Sequence, residues 1–302
     1  MLTIIGDTDP GRREHNEDSF VADSSIGFGL VADGMGGYAC GEVASDLVQQ
    51  TVHDAVSRDE DLSDAIRSAH DVVIEAANAD PSKKGMGSTV VAVKFSGSDY
   101  KIGWVGDSRA YLWDQLTGVL KRVTRDHSYV EALLSSGAIS PQEALNHPHK
   151  HLITQAMGVA GEEGLIVDVV TGRMMTGQKL ILCSDGLVDE VEDHEIAHIL
   201  ATIDTPAETV DKLIQTAVES GGRDNITVVM AFNDEDQGTL ENEIPNLMEG
   251  DELSDKIKDN NSASLDNQGS EDNNPKVELS WLEVISIQVT GYFNKIVKSL
   301  RK

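Results

Sequence analysis

Three apolar runs in this chain stop on an aspartate, "GLVAD" at Asp33, "IGWVGD" at Asp107 and "LILCSD" at Asp185, and a fourth, "NITVVM", starts just after Asp224. Strand ends gather at sheet edges. If the last of these strands runs antiparallel to the other three, its beginning lies at their ends and the four carboxylates meet in one place. The "NED" of Asn16 to Asp18, just ahead of another strand, can bring Glu17 and Asp18 to the same edge. Taken singly, each acid is an ordinary turn residue, because Asp-Gly is a common turn and a strand-terminal Asp hydrogen-bonds the next loop. Taken together, several carboxylates repel one another unless a cation sits among them, and oxygen-only donors suit magnesium or manganese rather than zinc. The cluster predicts a metal before it predicts a reaction.

The loop after the first of these strands, "ADGMGGYACG", is dense in glycine. From Gly34 it reads Gly-x-Gly-x-x-Ala, close to the fingerprint that cradles a dinucleotide pyrophosphate. Context excludes that reading, since the fingerprint needs a second strand after its helix and here the helix is followed by another helix. Asp33 would also face the pyrophosphate with like charge. The glycines fit better if Asp33 and the Gly34 carbonyl face ions, with Gly36 and Gly37 leaving room for them and their waters.

The elements that must position these residues are legible as short β-branched or alternating runs: "LTIIGD", "SFVAD", "IGFGLVAD", "GSTVVAVKF", "YKIGWVGD", "SRAYLWD", "LIVDVV", "KLILCSD" and "NITVVMAF". Nine strands imply more than one sheet. Helical patterns cover Gly41 to Arg58, Leu62 to Asp80, roughly His194 to Ile203, and Pro206 to Ser220. Because the helices come in consecutive pairs, a strictly alternating βαβ chain is not expected. From His127 to Met157 two short helical pieces, broken at Gly137 and Pro141, interrupt the strands and read as a lid or flap.

Residues 1–233 therefore read as one catalytic domain. Residues 234–276, rich in Asp, Asn, Glu and Ser and poor in aromatics, read as a flexible acidic linker. Residues 277–302 place Trp281, Ile285, Val289, Tyr292, Ile296 and Leu300 on one helical stripe with basic residues following, although Ile285, Ile287 and Val289 also alternate as a strand would. That segment is either an extra element packed on the domain or a surface that docks a protein or a membrane.

With 24 Lys and Arg against 52 Asp and Glu, the formal charge of -28 excludes nonspecific binding to nucleic acid and to anionic membranes for the chain as a whole. Two cysteines, Cys40 and Cys183, make neither a disulfide framework nor a metal spacing, which fits a reducing cytoplasm. The start lacks the pattern of a signal peptide, and no run of about 18 apolar residues offers a membrane span.

In order, "RREHNED", "VADGMGG", "GMGSTVVAV", "WVGDSRAYL", "TRDHS", "LILCSDGL" and "GGRDNITVVM" resemble the metal-dependent Ser/Thr protein phosphatases of the type 2C class, above all their stand-alone bacterial members. The resemblance spans about Ile4 to Phe232. It implies an α+β fold, a four-layer α-β-β-α sandwich with two central, mostly antiparallel sheets and two divalent ions, manganese or magnesium, at one end. By the same resemblance Asp33 bridges both ions, Gly34 offers its carbonyl to one, and Asp185 and Asp224 hold the other. Glu17 and Asp18 are similar to the family's early acidic pair, and Asp107 with Asp185 to the seat of a third, weaker ion. Arg13 matches a phosphate-clamping arginine, with Arg12 its nearest competitor; a planar fork takes two phosphoryl oxygens better than an ammonium does. The implied catalytic residues are thus Arg13, Asp33 and Asp185. The implied partners are phosphorylated proteins, among them a Ser/Thr kinase and its substrates.

One position departs from the pattern. Eukaryotic members often carry His directly after the Asp-Gly pair, whereas this chain has Met35. Proton delivery to the leaving alcohol then falls to water or to another side chain, and His15, His127, His147, His149 and His151 are the candidates. Asp126 reads as a residue behind the site, Ser88 and Thr89 as the start of a buried strand, and Asn225 as the lock of the Asp224 turn. The alternative to hydrolysis is a catalytically silent metal-binding module that recognises phosphoproteins.

Overall fold

A computed structural model of the protein describes residues 2–36, 40–159 and 164–233. Gly37, the acidic linker 234–276 and the segment 277–302 lie outside the described residues.

Two antiparallel sheets make the centre. The first has the order β1-β11-β10-β7-β8, built from β1 (Leu2–Asp9), β7 (Arg109–Asp114), β8 (Val119–Arg122), β10 (Gln178–Cys183) and β11 (Ile226–Asn233). The second has the order β2-β3-β5-β6-β9, from β2 (Asp18–Asp23), β3 (Phe28–Met35), β5 (Val90–Ser96), β6 (Asp99–Val105) and β9 (Asp168–Arg173), with the two-residue β4 (Gly87–Ser88) on the end of β3. Every pairing among these strands is antiparallel.

Three apolar layers bind the sandwich. Ile4, Val31, Val91, Val93, Ile102, Leu180, Leu182 and Val229 fill the space between the sheets. The outer face of the second sheet is covered by α1 (Cys40–Ser57) and α2 (Leu62–Ala79) through Ala44, Val48, Val52, Ile66 and Val73. The outer face of the first is covered by α6 (Asp193–Thr202) and α7 (Pro206–Ser220) through Ile196, Leu200, Leu213 and Ile214. The result is the α-β-β-α order. Strands covered on both faces need continuous apolar runs, and "LILC" of β10 and "ITVVMA" of β11 are fully buried.

Helix boundaries follow local chemistry. The Asp61 side chain caps α2 by accepting from the Ser63 N–H, and Pro206 opens α7, where its missing N–H costs nothing. Between β8 and β9, residues 127–157 form α3 (Tyr129–Ser135) and α4 (Pro141–Leu145), the latter with a Ser140–Glu143 capping box.

Three elements differ from expectation. β8 pairs with β7 across a turn that has Gly118 at φ +67°, but its four residues are exposed or half-buried and two are basic, so no apolar signal marks it. The run "GSTVVAVKF" is two strands, because Thr89 leaves the ladder to bond the peptide of Asp33. The run "LIVDVV" starts its strand only at Asp168, since Leu165 and Val167 pack under the helices α1 and α2 instead.

Candidate metal centre

The carboxylates converge where β2 begins and β3 ends. Asp18 and Asp33 are direct partners in the β2–β3 ladder, so their side chains share one face. β11 runs antiparallel to β10, which brings its first residues beside the end of β10 and the Asp185 that follows. The Ser184 N–H donates to the Thr227 carbonyl at 3.1 Å and the Thr227 N–H to the Ser184 hydroxyl at 3.0 Å, which locks that junction. Asp185 then opens the short helix α5 (Asp185–Val188), and a Cβ on Gly186 would fall 2.0 Å from the Asn225 carbonyl oxygen, so only glycine admits this approach.

Asp18 is buried. Its Oδ2 accepts from the Thr227 hydroxyl at 2.6 Å, while its Oδ1 is enclosed with no hydrogen-bond partner. An enclosed carboxylate oxygen without a donor is costly unless the acid is protonated or a cation faces it. Burial pushes the Asp18 carboxyl up to about 7, opposed by the Thr227 and Ser184 hydroxyls and reinforced by Asp185 and Asp224. Asp33 is held well above its ordinary value by burial first and then by Asp18, Asp185, Asp107 and Asp224. Asp185 is raised to about 6 by burial and by Asp189 and Asp224, while a hydrogen bond with Asp33 pulls the other way. Asp107 is raised to about 8 by burial, Asp185 and Asp126. Glu17 is raised by burial, with Arg13 opposing. These acids thus press on one another across one pocket, and Asp224 presses on Glu17, Asp18, Asp33 and Asp185 alike.

Gly34 has a packing reason that the sequence did not show. A Cβ there would sit 2.2 Å from the Gly41 carbonyl oxygen and 2.5 Å from that of Glu17, so the start of α1 is pressed against the acid loop. Gly41 is equally constrained, with Glu17 Cδ 2.7 Å from its Cβ position. Crowding by α1 requires glycine at both positions, and Gly36 has a left-handed backbone, at φ +152°.

Small polar residues hold the acids in place. The Asp33 N–H donates to the Thr89 hydroxyl at 3.1 Å, and the Asp33 carbonyl accepts from the Thr89 N–H at 2.8 Å and from the Ser88 hydroxyl at 3.1 Å. Asn225 donates from its side chain to the Pro10 and His15 carbonyls and accepts from the Glu17 N–H at 2.8 Å, tying the "RREHNED" loop to the start of β11. For Asn225 the sequence signal is an amide residue directly after Asp224; for Ser88 and Thr89 there is none.

Arg13 reaches the same mouth. Its Nη2 donates to Asp224 Oδ2 at 2.7 Å and its Nε to the Arg223 carbonyl at 3.2 Å, with the side chain 53% exposed. Arg12 is exposed and acts on Glu190 instead. Asp126 stands behind the site, paired with Arg109 at 2.8 Å. Of the histidines, His127 is tied down: Nδ1 accepts from the Gly106 N–H at 3.2 Å and Nε2 faces Asp168 at 3.2 Å. His147 and His149 pack around Tyr129. His151 faces Asp189, with Nδ1 3.2 Å from Oδ2.

Protein phosphatase 2C is the family whose model matches, over residues 11–132. The serine/threonine phosphatase stp of Listeria monocytogenes is 37% identical over 241 residues, 75% of this chain and 94% of that protein. The chain belongs to the protein phosphatase 2C family. The serine/threonine protein phosphatase PstP of Mycobacterium tuberculosis is 36% identical over 251 residues, 80% of this chain and 46% of that protein. The crystal structure of the M. tuberculosis phosphatase PstP/Ppp covers 76% of this chain and 98% of its own, with a TM-score of 0.69 and 36% identity. The catalytic domain of PstP in complex with two manganese ions covers 76% and 97%, with a TM-score of 0.68 and 34% identity. The fold of this phosphatase 2C chain is thus the family's sandwich. Its donor set also fits divalent ions: the facing side chains are carboxylates, buried at Asp18 and half-buried at Asp33 and Asp185, and Asp18 Oδ1 has no hydrogen-bond partner.

Proposed function

We propose that the chain hydrolyses phosphoserine and phosphothreonine esters in proteins, with two divalent ions, manganese or magnesium, held by Asp33, Asp185, Asp224, the Gly34 carbonyl, Glu17 and Asp18. The observation that carries this reading is the convergence of buried acids with raised pKa values around the unpartnered Asp18 oxygen. When bound, two such ions would supply charge compensation and lower the pKa of a water for hydrolysis of the phosphate ester. Asp107 with Asp185 provides a third, weaker seat.

The chain's own residues do the rest. Asp33 is fixed through its peptide by Ser88 and Thr89, which holds its backbone at the site. Arg13 is anchored by the Arg223 carbonyl and by Asp224, and its remaining donors are open to the oxygens of an incoming phosphate. Met35 has no proton to give, and His127 is engaged on both ring nitrogens. Solvent, which reaches a mouth where Arg13 and Asp224 are 53% and 40% exposed, supplies the proton in place of Met35 and His127.

The names of the bacterial relatives support a Ser/Thr kinase and its substrates as the proteins this enzyme opposes. The two cysteines, both buried, support a cytoplasmic site of action, and no helix among the described residues is long and apolar enough to cross a membrane. The pattern of residues 277–302 supports docking to a protein or membrane surface. Removing residues 234–302 should leave turnover of a small aryl phosphate intact and abolish binding to the kinase or to vesicles; binding that survives counts against docking.

The decisive assay compares a phosphothreonine peptide with a phosphotyrosine peptide. Turnover of the first should be abolished by EDTA, restored by manganese and largely lost in Asp185→Asn with the fold retained. Full activity in that variant, or indifference to EDTA, overturns the reading.

A further inference from the structure

The tract "HPHKH" at His147 to His151 is absorbed by nothing above. Its backbone is held firmly: the Leu152 N–H donates to the His149 carbonyl at 3.1 Å, and the Tyr129 N–H to the Leu152 carbonyl at 2.8 Å. With His147 and His149 packed on Tyr129, His151 is the ring in this tract that turns toward α5. There it meets two acids one helical turn apart. The Asp189 N–H donates to the Asp185 carbonyl at 2.8 Å, and that spacing puts both side chains on one face.

The donor atoms of His151, Asp185 and Asp189 all lie within 4.8 Å of one another. Donors held about 2.0–2.2 Å from one ion are separated by about 3–4.4 Å, so a small contraction closes the set. One imidazole and two carboxylates form a mixed donor set that selects zinc, cobalt or another borderline transition ion over magnesium, which takes oxygen alone. The set differs from the oxygen-only seat at Asp107 and Asp185, because it recruits a ligand from the 127–157 segment.

We propose that His151, Asp185 and Asp189 form a cation site for a borderline transition ion, zinc or cobalt(II), which bridges the 127–157 segment to α5. The Lys150 ammonium, 3.3 Å from Asp189 Oδ1, competes for that carboxylate in the ion-free protein. The proposal shares Asp185 with the hydrolytic reading but needs no phosphate and no turnover.

The test is cobalt(II) binding by equilibrium dialysis of the full chain, with proton spectra of the loaded protein. Wild type should hold one more cobalt than His151→Ala or Asp189→Asn at the same free ion, with binding at that position weakened at least about tenfold, since losing a ligand costs no less than losing its outer partner. A paramagnetically shifted imidazole N–H signal should be present in wild type and absent in His151→Ala. Lys150→Ala should bind more tightly, because a competitor is gone. Equal cobalt content in wild type and His151→Ala, or weaker binding in Lys150→Ala, overturns the site. If manganese-dependent turnover of the phosphothreonine peptide persists alongside equal cobalt content, only this site has failed. A wild type that holds extra cobalt through His151 yet hydrolyses nothing keeps the site and removes the hydrolytic reading.

Discussion

Stripped of divalent ions, this protein should lose stability as pH rises from 5 to 8. In the folded chain the Asp18 carboxyl sits at about 7 against an ordinary 3.8. Folding therefore favours its protonated form. Below the unfolded value there is no penalty; the penalty grows as pH climbs past 3.8 and is complete above about 7. Between pH 5 and pH 8 the change for this one group is about two units of proton affinity, or about 3 kcal/mol at ~1.4 kcal/mol per unit. For a domain of this size each 1 kcal/mol shifts Tm by about 2–4 °C, which gives a fall of about 6–12 °C. Asp185 at about 6 and Asp107 at about 8 act in the same direction. The assay is calorimetric melting in EDTA at both pH values, repeated with excess manganese and with Asp18→Asn. Manganese should remove most of the fall, because ions bound only to the folded form add stability by mass action where the acids are ionised. Asp18→Asn should flatten the EDTA profile. An EDTA-treated wild type as stable at pH 8 as at pH 5 would refute the argument that these acids are held unpaired in one pocket.

Two further substitutions follow from the same geometry. Gly34→Ala drives a methyl group to 2.2 Å from the Gly41 carbonyl oxygen, and because the obstacle is backbone, the start of α1 must move; overpacking of this kind costs about 1–3 kcal/mol, so Tm should drop about 2–12 °C, and a variant with unchanged Tm and activity would remove the packing explanation. Arg13→Lys keeps the charge but loses the fork that spans the Arg223 carbonyl and Asp224; kcat/KM on a phosphothreonine peptide should fall about 10–100-fold, the worth of a charged hydrogen bond of about 1.5–3 kcal/mol, and wild-type kcat/KM in the lysine variant would dismiss Arg13 as a phosphate ligand.

The positions of the acids were legible because their signal is local. Asp33, Asp107 and Asp185 each end an apolar run, and one antiparallel step from β10 to β11 suffices to bring Asp224 into register with them. What was illegible depends on contacts between distant segments. Nothing in "GSTVV" distinguishes Thr89 from any strand residue until β4 and β5 are seen to part around it. Asn225 looks like a turn residue, yet it holds the Pro10 and His15 carbonyls and the Glu17 N–H from more than two hundred residues away. The packing reason for Gly34 stays hidden because the approach of α1 is a tertiary event that no spacing in the loop encodes. β8 was missed for a different reason: a short, half-exposed edge strand has no burial to write into its sequence.

A chain of formal charge -28 must still attract a phosphate ester, and the site divides that labour by burial. Asp18 is buried and Asp33 and Asp185 are half-buried, so water satisfies them poorly, and their charge is matched by ions or by protons. Arg13 and Asp224 are half-exposed, and an exposed pair of this kind contributes only about 0–1 kcal/mol. The guanidinium can therefore exchange part of its contact with Asp224 for a phosphate oxygen at little cost, while the Arg223 carbonyl keeps its Nε in place. The carboxylates, Asp224 at the rim included, are committed to the cations, and the exposed Arg13 guanidinium is left to meet the substrate. That division also explains why an arginine is acceptable beside the acids at all: buried among them it would neutralise the cluster that the ions require, and at the rim it does not.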